Sequence, residues 1–154
     1  MKQKGFTLIE LMVVISITAI LGVLGIAGFV NYNQTQVLQF SANEVVNMLN
    51  LAKSRAQSQV KLGDSCGTHT FLEGYRVDII SNDNDSYVLN SLCSGVLSPL
   101  ETKTLPSSLS FDADNSFFFP IQTGGVEAPG QIVIDSDGRT KTITVNSLGG
   151  VSVE

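Results

Sequence analysis

From Phe6 to Val30 this chain carries one charged side chain, Glu10. An acidic residue at the centre of a membrane segment costs about 2.5–3.5 kcal/mol on insertion scales, and less towards the interface. A leucine would insert better, so Glu10 calls for a partner. The two cysteines, Cys66 and Cys93, form one disulfide if this part of the chain lies outside the cytoplasm, and two separate buried thiols otherwise. They cannot assemble a four-ligand zinc site with the single histidine, His69. Nor does His69 have a Ser-His-Asp or Cys-His arrangement around it. NDND at 82–85 and DSDG at 135–138 offer oxygen ligands for calcium, but neither precedes the spaced Glu of an EF-hand loop. Asp and Asn are also the residues that turns select for local hydrogen bonding, and these stretches read as turns. The residues therefore give no enzyme, no metal site and no cofactor.

Charge distribution says where these groups belong. Lys2 and Lys4 precede the apolar stretch, and the next base is Lys53. The positive-inside rule then puts the N-terminus in the cytoplasm and the bulk of the chain outside. An apolar stretch of about 25 residues is about 37 Å long as a helix, enough for a hydrocarbon core of about 30 Å. A cleaved secretory signal has a shorter apolar core followed by a small-residue cleavage site, which Ala27 and Gly28 only imitate. Setting Lys2 and Lys4 apart from the nine bases and Glu10 from the fourteen acids leaves seven bases against thirteen acids. So acidic a domain argues against a broad electrostatic grip on nucleic acid.

The elements that position these residues follow from periodicity. Leu38, Ala42, Val45, Leu49, Ala52 and Ala56 repeat at spacings of four and three, one apolar stripe of a helix running to about Ser58. KLGDSCG at 61–67 ends it. Alternation then takes over. Stretches 75–80 and 87–92 flank the turn SNDND, and 131–135 and 140–145 flank DSDG, as two hairpins. Short strands are expected at 102–105, 109–111, 117–119 and 151–153, broken by Pro106 and Pro120. In Phe117-Phe118-Phe119-Pro120, alternation sends at least one ring to the core, against the reading of the whole run as a sticky patch. The fold class is α+β: a long N-terminal helix, part anchor and part amphipathic, packed on antiparallel β-sheet. The expected organisation is a leader at 1–5, an anchor helix at 6–30, its amphipathic continuation at 31–60 and a β-rich domain at 61–154.

GFTLIE after a short basic leader, followed by a long apolar run, resembles the processing motif of type IV pilins and pseudopilins. The resemblance implies cleavage between Gly5 and Phe6 by a prepilin peptidase and N-methylation of Phe6. It also implies a pilin-like fold and a fibre built with other pilin or pseudopilin subunits on an inner-membrane assembly platform, from a pool held in membrane lipid. Glu10 matches the acidic fifth residue of the mature family. Cleavage creates a cationic amine at Phe6, and pairing the two groups relieves both while fixing axial register. Gly22, Gly25 and Gly28 suit close helix packing or, by the resemblance, a local melting of the helix; the proline many pilins carry here is absent.

NLAKSRAQSQ, the Phe-rich strand, TGGVEAPGQ, IVIDSDG and the closing Gly-Gly-Val-Ser-Val are similar to the GspH/FimT group of minor pilins and pseudopilins. Some of that group bind DNA through a C-terminal Gly-Arg-x-Arg. Here that turn reads Gly149-Gly150-Val151-Ser152, and Gly138-Arg139-Thr140-Lys141 imitates the motif only in part, beside Asp135 and Asp137. The expected function is a structural subunit of a type IV pilus or a type II secretion pseudopilus. The alternative is a membrane-anchored extracytoplasmic binding protein, DNA-uptake receptors included, that does not polymerise.

Overall fold

The computed structural model describes residues 5, 7–62, 66–67, 69–82 and 84–154, with residues 23–28 given by backbone alone. Among the described residues, one helix, α1 (Leu8–Ser58), is followed by β1 (Leu72–Ile80), β2 (Ser86–Cys93), β3 (Val96–Thr104), β4 (Ser110–Phe111), β5 (Asn115–Pro120), β6 (Gly130–Ser136), β7 (Arg139–Val145) and β8 (Val151–Val153). The class is α+β. The strands form two antiparallel four-stranded sheets, ordered β3-β2-β1-β5 and β4-β6-β7-β8. The chain divides into two compact units, one ending at Val37 and one running Leu38–Glu154.

In the second unit the helix stripe is buried as its spacing demands: Leu38, Ala42, Val45, Leu49, Ala52 and Ala56 are all inaccessible or nearly so. Three of the six are alanines, which let a helix approach a sheet closely. Interiors this dense resist added volume. Ala52→Leu should therefore cost about 1–3 kcal/mol by overpacking, read as a lower urea midpoint. Tyr75, Val77, Ile79, Tyr87, Leu89, Phe117 and Phe119 supply the first sheet's share of the core, and Ile132, Ile134, Ile143 and Val145 the second's. Of the Phe run, Phe117 and Phe119 are buried and Phe118 half-buried, which is strand alternation. Tyr87 and Phe111 meet edge to face, with centroids 6.3 Å apart and planes at 88°, and so join β2 to β4. Glu44 fastens the helix to the first sheet: it accepts from Lys103 Nζ at 3.0 Å. Burial, then the charges of Glu44 and Glu101, push the Tyr87 phenol well above its ordinary value, so it stays a neutral donor beside Glu44.

Both predicted hairpins are present. In the β6–β7 turn, Asp137 (φ 48°) and Gly138 (φ 82°) take the two left-handed positions of a type I′ turn. In the β1–β2 connection, Asn82 Oδ1 accepts from the Asn84 amide at 3.0 Å, and Asp85 Oδ1 accepts from the Phe111 amide at 3.2 Å. These side chains serve the turn and its neighbouring strand. Among the described residues, no group of three or more His, Cys, Asp or Glu side chains could hold a metal ion.

Two strands begin three or more residues earlier than their sequence suggests. β1 starts at Leu72 rather than 75, and β3 at Val96 rather than 102. Pro99 hides β3, because proline cannot donate to a ladder. It is tolerated because β3 is an edge strand, and a register shift opposite Leu89 and Asn90 leaves Leu100 without a cross-strand partner. The tight β2–β3 turn is Ser94 (φ 49°) and Gly95 (φ 78°), a second I′ turn.

Cys66 and Cys93 are disulfide-bonded, with Cα atoms 5.3 Å apart, so the segment after the helix is tied to the end of β2. The hydroxyl of Tyr75 donates to the carbonyl of Val60, and Lys61 Nζ to that of Thr70 at 2.6 Å, holding the same segment. Chain entropy assigns about 3–4 kcal/mol to a disulfide closing a loop of this size. A Cys66→Ser/Cys93→Ser variant should lose stability of that order in chemical denaturation, and a change under about 0.5 kcal/mol, the scale of an ordinary surface substitution, would show that the bridge does not constrain the unfolded chain.

Candidate functional site: the N-terminal segment

Of the residues singled out in the sequence, Glu10 lies in the first turn of α1. Thr7 lies just before the helix, and its carbonyl accepts the Leu11 amide at 3.2 Å. Its Oγ1 accepts the Glu10 amide at 3.3 Å and donates to Glu10 Oε2 at 3.5 Å. Thr-x-x-Glu at a helix start is the capping-box spacing, and here the Thr and Glu side chains meet over the first turn. An acid there also complements the positive end of the helix dipole. Glu10 thus has a local partner in the single chain. TLIE carried that signal, and the sequence reading used its Glu without its Thr.

Gly5 is exposed, and a Cβ placed on it would meet nothing within 4 Å. Phe6 lies outside the described residues. So do the expected Gly5–Phe6 junction and the expected Phe6–Glu10 pair.

From Leu8 to Leu21, Glu10, Ser16 and Thr18 apart, the helix is apolar on every side. Leu8, Ile9, Leu11, Met12, Val13, Val14, Ile15, Ile17, Ile20 and Leu21 are each more than half exposed. A helix apolar all round requires a covering phase or partner. Its hydroxyls turn inward on the backbone: Ser16 Oγ donates to the Met12 carbonyl at 2.8 Å, and Thr18 Oγ1 to that of Val14 at 2.9 Å. This is how polar side chains are satisfied where no water is at hand. Among the described residues, no helix is long and apolar enough to cross a membrane. The side chains of residues 23–28, part of the apolar stretch, are not among those described.

Residues 1–26 match the family model of the prokaryotic N-terminal methylation motif. The motif covers Gly5, Phe6 and Glu10 together with the basic leader and most of the apolar run. No curated protein and no solved structure matches the chain. Outside the motif, the Gly-rich stretches are structural. A Cβ on Gly149 would lie 2.4 Å from the Gly124 carbonyl oxygen, and Lys53 Nζ donates to the Gly149 carbonyl at 2.9 Å. Arg139 opens β7 directly after the Asp137–Gly138 turn. The partial Gly-Arg-x-Lys motif therefore runs from the hairpin turn at Gly138 into β7.

Proposed function

We propose that this chain is a pilin-like structural subunit, cut between Gly5 and Phe6 by a prepilin peptidase, N-methylated at Phe6, and assembled into a type IV pilus or type II secretion pseudopilus. The match of residues 1–26 to the methylation motif carries this reading. The exposed apolar helix beyond Glu10 supports it, since such a surface needs lipid before assembly and neighbouring helices after it. In this mechanism residues 6–30 hold the subunit in the inner membrane with the N-terminus cytoplasmic and the second unit outside. Glu10 of an incoming subunit then meets the Phe6 amine of its neighbour. Two groups that are each costly at membrane depth neutralise one another, and the pair fixes axial register. The assembly platform and other pilin or pseudopilin subunits are the partners this requires, with membership of the GspH/FimT group as its finer form. The reading includes no enzymatic step and no cofactor. The experiment is intact-mass analysis of tagged protein from the membrane and from sheared surface fibres. Protein beginning at N-methylated Phe6 in both fractions is the expected result. An unprocessed chain beginning at Met1 and absent from fibres would overturn the reading.

A further inference from the structure

A cleft of about 540 Å³ on the first sheet is lined by Glu73, Arg76, Leu92, Ser116, Phe118, Glu127 and Ala128. We propose that it docks a lysine or arginine side chain presented by a different protein, with the aliphatic stem over Phe118 and Leu92 and the charge between Glu73 and Glu127.

Three separate features build this cleft. Gly74 carries no side chain where a Cβ would lie 2.7 Å from the Phe118 ring and 2.3 Å from the Phe119 carbonyl oxygen, so the ring closes down on β1 as an apolar floor. A register shift between Leu72 and Gly74 leaves Glu73 as the extra residue of a β-bulge. Bulges re-aim a side chain in this way, and the Gly95 amide holds Glu73 Oε1 at 2.6 Å. From elsewhere in the chain, the Glu127 amide donates to the Phe118 carbonyl at 3.0 Å, which brings Glu127 to the same opening.

The charge selects the occupant. Arg76 is engaged by Asp78, with Nε 2.9 Å from Oδ1, and so does not neutralise the two glutamates. Asp78 is fixed in turn by Asn90 at 2.7 Å and Ser116 at 2.8 Å. The cleft is therefore net negative over an aromatic floor, which suits a cation on a hydrocarbon stem. A second copy of this chain has less to offer it, because of its seven bases beyond residue 30 all but Arg55 and Lys141 are held by a hydrogen bond or other partner in their own chain, Arg139 included. Lys53 is bound to the Gly149 carbonyl, Lys61 to that of Thr70, Arg76 to Asp78 and Lys103 to Glu44.

The test uses the full chain in detergent micelles, labelled with 13C at phenylalanine, with the Phe118 ring signals assigned through Phe118→Leu. The probes are acetylated, amidated pentapeptides Gly-Gly-Xaa-Gly-Gly in which Xaa is arginine, lysine or uncharged norleucine. Saturable shifts at Phe118 are expected for arginine and lysine, at least about tenfold tighter than for norleucine, and a Glu73→Gln/Glu127→Gln variant should remove the difference. Gly74→Ala, which lifts the ring, should weaken all three peptides. The proposal is overturned if no peptide gives a saturable shift, if norleucine binds as well, or if the glutamine variant keeps the preference. Phe118 shifts that track protein concentration alone and are reversed by the arginine peptide would place a second copy in the cleft and overturn the assignment to a different protein.

Discussion

Glu10→Gln should insert in the membrane as well as wild type and yet enter fibres at no more than about a tenth of the wild-type ratio of fibre to membrane pool, a loss of about 1.4 kcal/mol or more in assembly. Two roles for this carboxylate compete, and this substitution separates them. Glutamine occupies the third helical position of a capping box as well as glutamate does, so the contact with Thr7 and the start of α1 should survive. The charge that would meet the Phe6 amine does not. Glu10→Leu removes cap and charge together, and spares the insertion cost of an acid. Under the pairing mechanism both variants accumulate in the membrane and both fail to assemble. Normal incorporation of Glu10→Gln beside failure of Glu10→Leu would assign Glu10 to helix capping alone. Thr7→Ala completes the set: it should cost about 0.5–2 kcal/mol of helix-end stability while leaving the assembly charge in place.

Gly5→Val should abolish maturation, leaving more than about nine-tenths of the chain uncut and absent from fibres, a shift of at least about 1.4 kcal/mol in effective processing. The structure makes the variant interpretable, because a Cβ placed on Gly5 would meet nothing within 4 Å. The expected effect therefore lies in the peptidase, where under the proposed processing a β-branched residue beside the cut would obstruct the approach to the Gly5–Phe6 bond. Intact-mass analysis reads the outcome. A normally methylated Phe6 terminus in Gly5→Val would show that processing does not depend on this glycine and would remove the basis of the reading.

Much of this was legible in the residues because single physical rules governed them. The buried helix stripe from Leu38 to Ala56 followed from spacing, and Asp137–Gly138 from the left-handed turn it must make. The ends of β1 and β3 were not legible, since Pro99 and the bulge at Glu73 break local alternation and are admitted only by their place in the sheet. The division into two sheets was equally hidden. It depends on β5 returning to pair with β1 while β4 pairs with β6, each across intervening chain, and no local pattern announces that. At the N-terminus the lone acid stands out by its charge, whereas Thr7 is a neutral residue whose role shows only in its hydrogen bonds to Glu10.

The sheet margins carry a consequence for how copies of this chain meet. One sheet ends on β3, interrupted by Pro99, and on β5, which closes at Pro120 and has its Phe118 carbonyl occupied by Glu127. The other ends on β4 and β8, of two and three residues. Short, proline-bearing or covered edges are how natural sheets refuse unwanted strand pairing. Crowded copies thus find no free ribbon along which to zip together through their β-domains. Contact between copies is then left to the helical segment, and the β-domains do not seed amyloid-like pairing.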